Sequence, residues 1–198
     1  MSADIRTFTV CGQDGTPIVF VDVVYDAGPD TVRELLAARL NTPVSQIEIR
    51  YDSWGQPSLA GDDAPAISIS HAGPLLAVAH AHAGKVGVDI EVLQPDIDVA
   101  ALAENFCTPA EQGLLNSTPP ESQAAAFSTI WTLKEAYQKA IGLGMAVDMC
   151  SIETKMRPGG IHLQAVHGST ELACGWQTEL FHFHWQDCDI VLAVVVGG

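Results

Sequence analysis

The sequence predicts an α+β fold made of two pseudo-equivalent subdomains, each with a helix packed on a small antiparallel sheet. Short apolar segments bounded by glycine and proline turns are typical of strands, and a few longer segments repeat their apolar residues at helical spacing. A helix followed by antiparallel strands occurs in both halves, without a residue-level repeat. We therefore expect an N-terminal subdomain over residues 1–92 and a C-terminal subdomain over residues 93–198, with the join near 93–98.

The first half contains one predicted helix and six predicted strands. The helix covers residues 31–40, where Asp30 is a good N-cap and the apolar stripe includes Leu35 and Leu36. A polar loop with glycine and proline follows from 52 to 65. The last three strands are short and turn-bounded, which suggests an antiparallel meander. The strands are expected at 5–10, 18–25, 46–51, 66–71, 75–80 and 85–92.

The second half contains three predicted helices and four predicted strands. Helices at 99–106 and 109–115 are short, whereas the segment from about 123 to 141 is the longest helix of the protein. Residues 117–122 include two prolines and are expected to form a loop. The Arg-Pro-Gly-Gly sequence at 157–160 predicts a hairpin turn. The strands are expected at 150–156, 161–166, 178–185 and 189–196.

The composition excludes several classes of protein. Apolar residues make up 47% of the chain and charged residues 17%, which is typical of a globular protein rather than a disordered one. The formal charge of −15 opposes general binding to nucleic acid or to anionic membranes. No apolar run reaches the roughly 18 residues needed to span a bilayer, and the N-terminus lacks the features of a secretory signal. We expect a cytoplasmic protein without nucleic-acid or membrane partners.

The cysteines and the basic residues further limit the kinds of site that this chain can form. The five cysteines are scattered and include no Cys-x-x-Cys pair, a spacing typical of neither a zinc site nor a disulfide framework. We interpret them as reduced and mostly buried. Only nine residues are lysine or arginine. If the substrate is an anion, these few side chains and a metal ion must therefore act locally.

The sequence Gly87-Val-Asp-Ile-Glu91 places two carboxylates on one side of a strand. Residues two apart on a strand point to the same face, so Asp89 and Glu91 lie together while Val88 and Ile90 face a core. Adjacent carboxylates repel unless a cation lies between them, and hard oxygen ligands favour Mg²⁺ or Mn²⁺. A half-exposed edge strand with two solvated acids explains this pattern equally well.

A second cluster lies on the longest helix, in the sequence Trp131-Thr-Leu-Lys134-Glu135-Ala-Tyr-Gln-Lys139. Glu135 and Lys139 are four positions apart and lie on one face, with Trp131 one turn before them. An ordinary helix with one ion pair of about 0.3–0.5 kcal/mol would show the same pattern. Lysine is rare in this chain, however, and its clustering beside Glu135 favours a functional site.

Together the two motifs resemble the paired signatures of the 4′-phosphopantetheinyl transferases. In that family a Gly-hydrophobic-Asp-x-Glu strand precedes a Trp-x-x-Lys-Glu-Ala-x-x-Lys helix. The resemblance extends over residues 31–145, and the length of the chain is typical of the Sfp-type, pseudo-dimeric branch. Gln56 stands where members usually have a basic residue, which removes one phosphate contact. Three further segments resemble the family in the same order: Gly55-Gln56-Pro57, Ile69-Ser70-His71 and Phe106-Cys-Thr-Pro-Ala-Glu111.

The resemblance implies the fold of the family, with two pseudo-twofold-related subdomains, and its activity. That activity is transfer of 4′-phosphopantetheine from coenzyme A to a serine of an acyl or peptidyl carrier protein, giving the holo carrier and 3′,5′-ADP. The enzyme would be of the holo-[acyl-carrier-protein] synthase type and would use Mg²⁺, or Mn²⁺ in its place, with coenzyme A as co-substrate. The N-terminal subdomain would bind the nucleotide and the C-terminal subdomain would dock the carrier. A monomer is expected, since the two halves already form a pseudo-dimer.

The family's metal-binding and catalytic residues have counterparts at matching positions of this sequence, and the resemblance implies the same roles for them. The resemblance implies that Asp89, Glu91 and Glu135 hold Mg²⁺ against the pyrophosphate of coenzyme A. Lys139 would act in catalysis by reaching the same phosphate. Glu111 corresponds to an acid assigned as the base that deprotonates the acceptor serine.

The cofactor-binding residues also follow from the resemblance. Ser70 and His71 resemble ligands of the 3′-phosphate end of coenzyme A, and Arg33 lies where a nucleotide-contacting arginine is expected. Arg50 and Lys85 are further candidates for the same anionic pocket, together with Lys139.

Two alternatives stay open. Glu111 also completes a capping box in which Thr108 is the N-cap, a role that needs no catalysis. Glu135 or a metal-bound water then competes as the base. At the level of function, the chain could bind coenzyme A without turnover, or could be a Mg²⁺-dependent phosphohydrolase on a similar scaffold.

Overall fold

The computed structural model describes residues 4–61, 63–143, 146–157, 160–166 and 175–197. The strands in this part of the chain are β1 (Ile5–Cys11), β2 (Pro17–Tyr25), β3 (Ile49–Tyr51), β4 (Pro57–Leu59), β5 (Ala66–Ala72), β6 (Leu75–Ala81), β7 (Lys85–Val92), β8 (Ile152–Arg157), β9 (Gly160–Val166), β10 (Gln177–Trp185) and β11 (Cys188–Gly197). The helices are α1 (Thr31–Leu40), α2 (Val99–Phe106), α3 (Pro109–Ser117) and α4 (Pro120–Ile141).

Two antiparallel sheets pack face to face, and a helix covers the outer face of each. The first sheet has the strand order β1-β2-β6-β5 and the second has the order β10-β11-β7. Because side chains alternate along a strand, Val23 of β2 faces the second sheet whereas Val24 packs in the cluster formed with α1. In β11, Leu192 faces the first sheet and Ala193 packs in the cluster formed with α4. The predicted α+β fold is confirmed.

Helix α1 covers the predicted range and buries Leu35 and Leu36 against the first sheet. Asp30 occupies the N-cap position, but its side chain makes no capping hydrogen bond. Its carboxylate instead lies 3.8 Å from the guanidinium of Arg33, one turn into the helix. Asn41 ends α1 in the left-handed conformation, with φ of 50°.

Strand β7 joins the second sheet, not the first. It pairs with β11 in antiparallel register, from Val92 opposite Ile190 to Lys85 opposite Gly197. The predicted meander is therefore wrong at its third strand, and a strand that we assigned to residues 1–92 belongs to a sheet otherwise formed by residues 93–198. The physical reason is that every residue of β7 has a backbone pairing partner on β11. Strand β5 meets β7 partly through side chains, since the Val88 N–H donates to Ser68 Oγ at 3.0 Å.

Other differences concern loops. The predicted loop 52–65 contains β4, which forms a two-stranded ribbon with β3. Helix α4 begins at Pro120, inside the predicted loop 117–122, because proline is tolerated in the first turn of a helix. Strands β8 and β9 pair as expected, although two residues of the predicted turn, 158 and 159, lie outside the described residues. Among the helices of the described ranges, none has the length and apolar character required to cross a bilayer.

Candidate active site

Strand β7 presents its two acids to α4. Val88 and Ile90 are buried in the core between the two sheets, whereas Asp89 and Glu91 contact side chains of α4. Asp89 is only 3% exposed, and Glu91 is half-buried. The predicted alternation along this strand is confirmed. Strand β7 lies at the edge of its sheet, as the alternative interpretation expected, but Asp89 is not solvated and Glu91 is only partly so.

Gly87 lets β7 lie directly against α4. A Cβ at this position would overlap the backbone carbonyl oxygen of Ala136 and would lie 2.5 Å from the amide nitrogen of Ala140. No side chain fits between the strand and the helix here, and the close approach brings Asp89 and Glu91 within reach of the helix. This role of Gly87 was not predicted from the sequence, although glycine inside a strand pattern is a known signal of close backbone approach.

Lys139 of α4 forms an ion pair with Asp89. Its Nζ donates to Asp89 Oδ1 at 2.6 Å and to Ser70 Oγ at 2.9 Å. Ser70 Oγ donates to the same carboxylate oxygen at 2.7 Å, which closes a triangle of polar contacts between α4, β5 and β7. The ion pair of Lys139 is therefore made with Asp89, and the helix does not carry the ordinary ion pair with Glu135 that its spacing suggested.

Three carboxyl groups of the site have raised pKa values, and burial is the main cause in each. The pKa of Glu91 rises to about 7, and the neighbouring charge of Asp89 contributes to the shift. Burial raises the pKa of Asp89 although Lys139 opposes the change. Burial and the charge of Asp89 raise the pKa of Glu135, again against the effect of Lys139. The charged forms of all three groups are disfavoured at a site without a further cation.

One oxygen of Asp89 lacks a hydrogen-bond partner in the part of the chain that the structure describes. Oδ2 is buried and accepts no hydrogen bond from the described residues. Leaving a buried acceptor unsatisfied costs about 1–3 kcal/mol, and more when it is charged. In the same part of the chain, no three carboxylate, histidine or cysteine side chains converge tightly enough to form a preassembled metal site. Lys139 supplies the positive charge at Asp89 in this arrangement.

Trp131 connects α4 to the second acid of β7. Its indole Nε1–H donates to Glu91 Oε1 at 3.1 Å. The rings of Phe106 and Phe127 pack on the indole, with centroids 5.0 Å and 6.1 Å from it. Glu91 and Trp131 also line an apolar cavity of about 250 Å³ together with Leu102. Our sequence analysis placed Trp131 in the motif but gave it no function.

Two adjoining cavities lie at the other end of the cluster. The first, of about 190 Å³, is lined by Glu135, Lys139 and Gln56. The second, of about 530 Å³, shares Gln56 with the first and extends to Lys85. Gln56 Nε2 donates to the backbone carbonyl of Lys139 at 3.1 Å. The residue that replaces a basic side chain of the family therefore ties the β3–β4 turn to the end of α4.

Glu111 lies in a separate, buried network. It forms the capping box with Thr108, whose N–H donates to Glu111 Oε2 at 2.8 Å, so the capping interpretation is confirmed. Lys134 Nζ lies 2.5 Å from the same oxygen, and both side chains are 1% exposed. The N–H and the hydroxyl of Thr154 donate to Oε1 at 2.8 and 2.7 Å. Both oxygens of Glu111 are thus engaged in structural contacts.

The other predicted cofactor-binding residues lie at the surface. Arg50 pairs with Glu48 at 2.8 Å, and the Arg33 side chain on α1 is 54% exposed. His71 and Lys85 are exposed on β5 and at the start of β7. No hydrogen bond or ion pair of the described residues joins these four side chains to the carboxylates of β7 and α4.

The carboxylate cluster lies within a segment that matches a known family. Residues 85–195 match the sequence model described as the 4′-phosphopantetheinyl transferase superfamily. This segment contains β7 and α4 and covers more than half of the chain.

Curated relatives match a large part of this chain. The 4′-phosphopantetheinyl transferase HetI of Nostoc sp. is 35% identical over 125 residues, which are 62% of this chain and 53% of that protein. The 4′-phosphopantetheinyl transferase psf-1 of Bacillus pumilus is 31% identical over 133 residues, 67% of this chain and 56% of that protein. The chain spans about half the length of these relatives.

A solved structure is also similar. A holo-(acyl-carrier-protein) synthase from Bacillus anthracis, in complex with CoA (3′,5′-ADP), superposes with a TM-score of 0.44 and 22% sequence identity. The superposition covers 58% of this chain and 96% of that one.

Proposed function

This chain belongs to the 4′-phosphopantetheinyl transferase superfamily, in its Sfp-type branch, and we propose that it transfers the 4′-phosphopantetheine group of coenzyme A to a serine of an acyl or peptidyl carrier protein. One observation carries this proposal. The close approach of β7 to α4 at Gly87 gathers the carboxylates of the site beside Lys139. A cluster of acids beside a lysine is suited to hold a cation and a phosphate together.

We assign a Mg²⁺ site to Asp89, Glu91 and Glu135. All three offer hard oxygen donors, and their raised pKa values favour a cation that would restore the charged forms. The unpartnered Oδ2 of Asp89 is available as a ligand. Mn²⁺ has the same preference for oxygen and would substitute. When bound, the ion would neutralise negative charge that develops on the pyrophosphate of coenzyme A.

Lys139 is the proposed phosphate-binding residue. Its side chain is 29% exposed and lines the cavity beside Glu135. A lysine ammonium is a compact point charge that suits a phosphate oxygen. Ser70 binds both Lys139 and Asp89, so we propose that it fixes the orientation of these two side chains rather than binding the 3′-phosphate.

In the proposed reaction, the serine Oγ of the carrier forms a bond to the pantetheine-side phosphorus. The bond from this phosphorus to the bridging oxygen breaks, and 3′,5′-ADP leaves with the electron pair. We propose that Glu135 accepts the serine proton, because its half-buried carboxylate lines the cavity beside Lys139 and can accept through the oxygen that does not bind the ion. Glu111 is not used as a base in this scheme, because both of its oxygens are occupied.

We propose that the nucleotide end of coenzyme A is bound by surface cations. His71, Arg33, Arg50 and Lys85 remain the candidates. Exposed ion pairs such as that of Arg50 contribute at most about 1 kcal/mol, so a phosphate can replace the carboxylate partner at little cost. The carrier would dock on the C-terminal half, and we expect a cytoplasmic monomer.

The intact mass of an apo carrier protein tests the proposal. The protein is incubated with coenzyme A, Mg²⁺ and an apo acyl or peptidyl carrier, and both the carrier mass and 3′,5′-ADP are followed. We expect a mass increase of one phosphopantetheinyl group and an equal amount of 3′,5′-ADP, both abolished by a chelator. Coenzyme A binding without either product would indicate a binding protein. Release of 3′,5′-ADP with an unmodified carrier would indicate a phosphohydrolase.

Variants of the site provide the internal control. Asp89→Asn, Glu135→Gln and Lys139→Met should each reduce transfer at least about 100-fold, the usual loss when one charge-stabilising group is removed. Lys155→Met is the matched control, since Lys155 is an exposed lysine on β8, outside the carboxylate cluster. Wild-type activity in any of the first three variants would contradict the assignment.

A further inference from the structure

Trp131 makes the hydrogen bond that holds Glu91 in place. The indole Nε1–H donates to Glu91 Oε1 at 3.1 Å across 40 residues of sequence. No other hydrogen bond or ion pair within the described residues reaches the Glu91 carboxylate. A glutamate side chain has three rotatable bonds and several accessible rotamers. The indole donor therefore decides which of them Glu91 adopts.

The indole is itself held in a fixed position. The Phe106 ring meets it edge-on at 5.0 Å, and the Phe127 ring packs at 6.1 Å. The backbone carbonyl of Phe106 accepts a hydrogen bond from Lys134 Nζ at 3.0 Å. Lys134 is in turn paired with Glu111. A continuous series of contacts thus connects the buried Lys134–Glu111 ion pair to Glu91, the second acid of β7.

The position of Glu91 matters because it is one of three acids that must meet at one point. Asp89 and Glu91 contact α4 through Lys139 and Trp131, and Glu135 lines a cavity beside Lys139. In the described part of the molecule, the three carboxylates nevertheless do not lie close enough together to form a preassembled metal site. Mg²⁺ demands a nearly ideal octahedral geometry, so a carboxylate with a free choice of rotamer is a poor ligand. Partners that orient a metal ligand typically change the affinity for the metal by about 10- to 100-fold.

We propose that Trp131 is a positioning residue, whose indole N–H holds Glu91 in the rotamer that joins Asp89 and Glu135 at the cation site. The inference rests on the function proposed above and assigns to the tryptophan of the helix motif a role beyond core packing. In this scheme the aromatic contact with Phe106 and the buried Lys134–Glu111 pair act through Trp131, without touching the substrate.

Metal binding by matched tryptophan variants tests the proposal. Trp131→Phe removes the indole donor and keeps an aromatic ring in the core. Trp185→Phe is the control, because the Trp185 indole also donates to a carboxylate, Asp4 Oδ2, at 3.0 Å. Trp185 lies at the end of β10 and packs in the core between the two sheets, not on α4. Binding of Mn²⁺ is measured by the electron paramagnetic resonance signal of the free ion, and Mg²⁺ by calorimetry. We expect about 10- to 100-fold weaker binding for Trp131→Phe and less than a twofold change for Trp185→Phe.

A double-mutant cycle distinguishes positioning from packing. If Trp131 acts through Glu91, then Trp131→Phe should add no further loss of metal affinity in a Glu91→Gln background. In transfer assays, Trp131→Phe should need more Mg²⁺ for half-maximal rate but recover most of kcat at saturating Mg²⁺. Unchanged metal affinity in Trp131→Phe, or additive losses in the double variant, would overturn the proposal.

A measurement on the unmodified protein covers the case in which Trp131→Phe does not fold. The side-chain N–H resonance of Trp131 should shift when Mg²⁺ is added, and that of Trp185 should not. An unmoved Trp131 resonance in a protein that binds Mg²⁺ would reject the positioning role alone. A wild-type protein that binds neither Mg²⁺ nor Mn²⁺ would instead overturn the cation site of the proposed function.

Discussion

Two lysines on α4, little more than one turn apart, form ion pairs of opposite character. Lys134 pairs with Glu111, and both side chains are 1% exposed. Lys139 pairs with Asp89, and here the lysine side chain is 29% exposed and the aspartate 5%. Each pair includes a hydroxyl partner, Thr154 in the first and Ser70 in the second. The chemical components are nearly the same, and the difference lies in whether every oxygen is satisfied.

The Lys134 pair is saturated, in the sense that both carboxylate oxygens accept hydrogen bonds from the protein, and the Lys139 pair is not. Both oxygens of Glu111 accept hydrogen bonds from protein donors, and Lys134 donates to two backbone carbonyls as well. Asp89 keeps one buried oxygen that accepts no hydrogen bond from any residue within the described ranges. A fully satisfied buried pair fixes the fold around it, whereas an unsatisfied one retains binding capacity for a ligand. The difference supports a structural role for Lys134 and the proposed phosphate-binding role for Lys139 within a single helix.

The largest expected effect comes from removing one member of the saturated pair. Lys134→Met leaves Glu111 as a buried, unpaired charge, which typically costs about 3–5 kcal/mol of the free energy of unfolding. Lys139→Met should cost less, about 1–2 kcal/mol, because water can reach this more exposed site. Urea denaturation followed by circular dichroism measures both values in metal-free buffer.

The comparison fails if the two lysine variants are equally destabilised. Combining Lys134→Met with Glu111→Gln gives a further check, because the neutral amide no longer leaves a charge buried. The double variant should recover part of the stability that the single variant loses.

Gly87→Ala should disturb only the unsaturated pair. The new methyl group would overlap the backbone of α4 at Ala136, so β7 and the helix must separate, at a cost of about 1–3 kcal/mol or more. Transfer activity and Mg²⁺ binding should fall because Asp89 moves away from Lys139. Gly113→Ala is the control, since a Cβ there meets nothing within 4 Å and α3 should gain about 0.5–1 kcal/mol. Thermal unfolding of both variants, with and without Mg²⁺, measures the contrast, and a neutral Gly87→Ala would contradict it.

The smallest expected effect is on the pH dependence of stability. The pKa of Glu91 is raised from 4.5 to about 7 in the folded protein, so between these values the native state binds more protons than the unfolded state. Stability in metal-free buffer should therefore decrease as pH rises from about 4.5 to 7, by on the order of 1 kcal/mol after allowance for solvent screening. Glu91→Gln should reduce this slope, and urea midpoints at several pH values measure it. A slope that is unaffected by Glu91→Gln would mean that another group titrates.

Most elements of the fold could be predicted because they leave a local pattern. Helix α1 and helix α2 have the predicted bounds, and the strands differ from expectation by one or two residues, except around the β3–β4 ribbon. The partner of β7 could not be predicted, because pairing with β11 depends on residues about a hundred positions away and leaves no mark in the neighbouring sequence. The start of α4 was missed for a different reason, since proline at the first helical turn resembles proline in a loop.

The sequence indicated which side chains of β7 and α4 lie together, but not which of them form hydrogen bonds and ion pairs. Strand alternation correctly placed Asp89 and Glu91 on one face, toward α4. Helical spacing suggested that Lys139 pairs with Glu135, whereas Lys139 pairs with Asp89, because only tertiary packing brings β7 close enough. The burial of Lys134 against Glu111 could not be predicted either. A lysine on a helix gives no local sign that its ammonium group will be buried.

The pairing of β7 with β11 also sets the order in which the molecule can mature. The strand that carries Asp89 and Glu91 has no backbone partner in its sheet until β11, about a hundred residues later in the chain, has been synthesised. A nascent chain that lacks β11 therefore contains every acid of the cluster, but the strand that carries Asp89 and Glu91 lacks its backbone partner. The proposed binding of metal and phosphate would therefore depend on one late and long-range folding event, the pairing of β7 with β11.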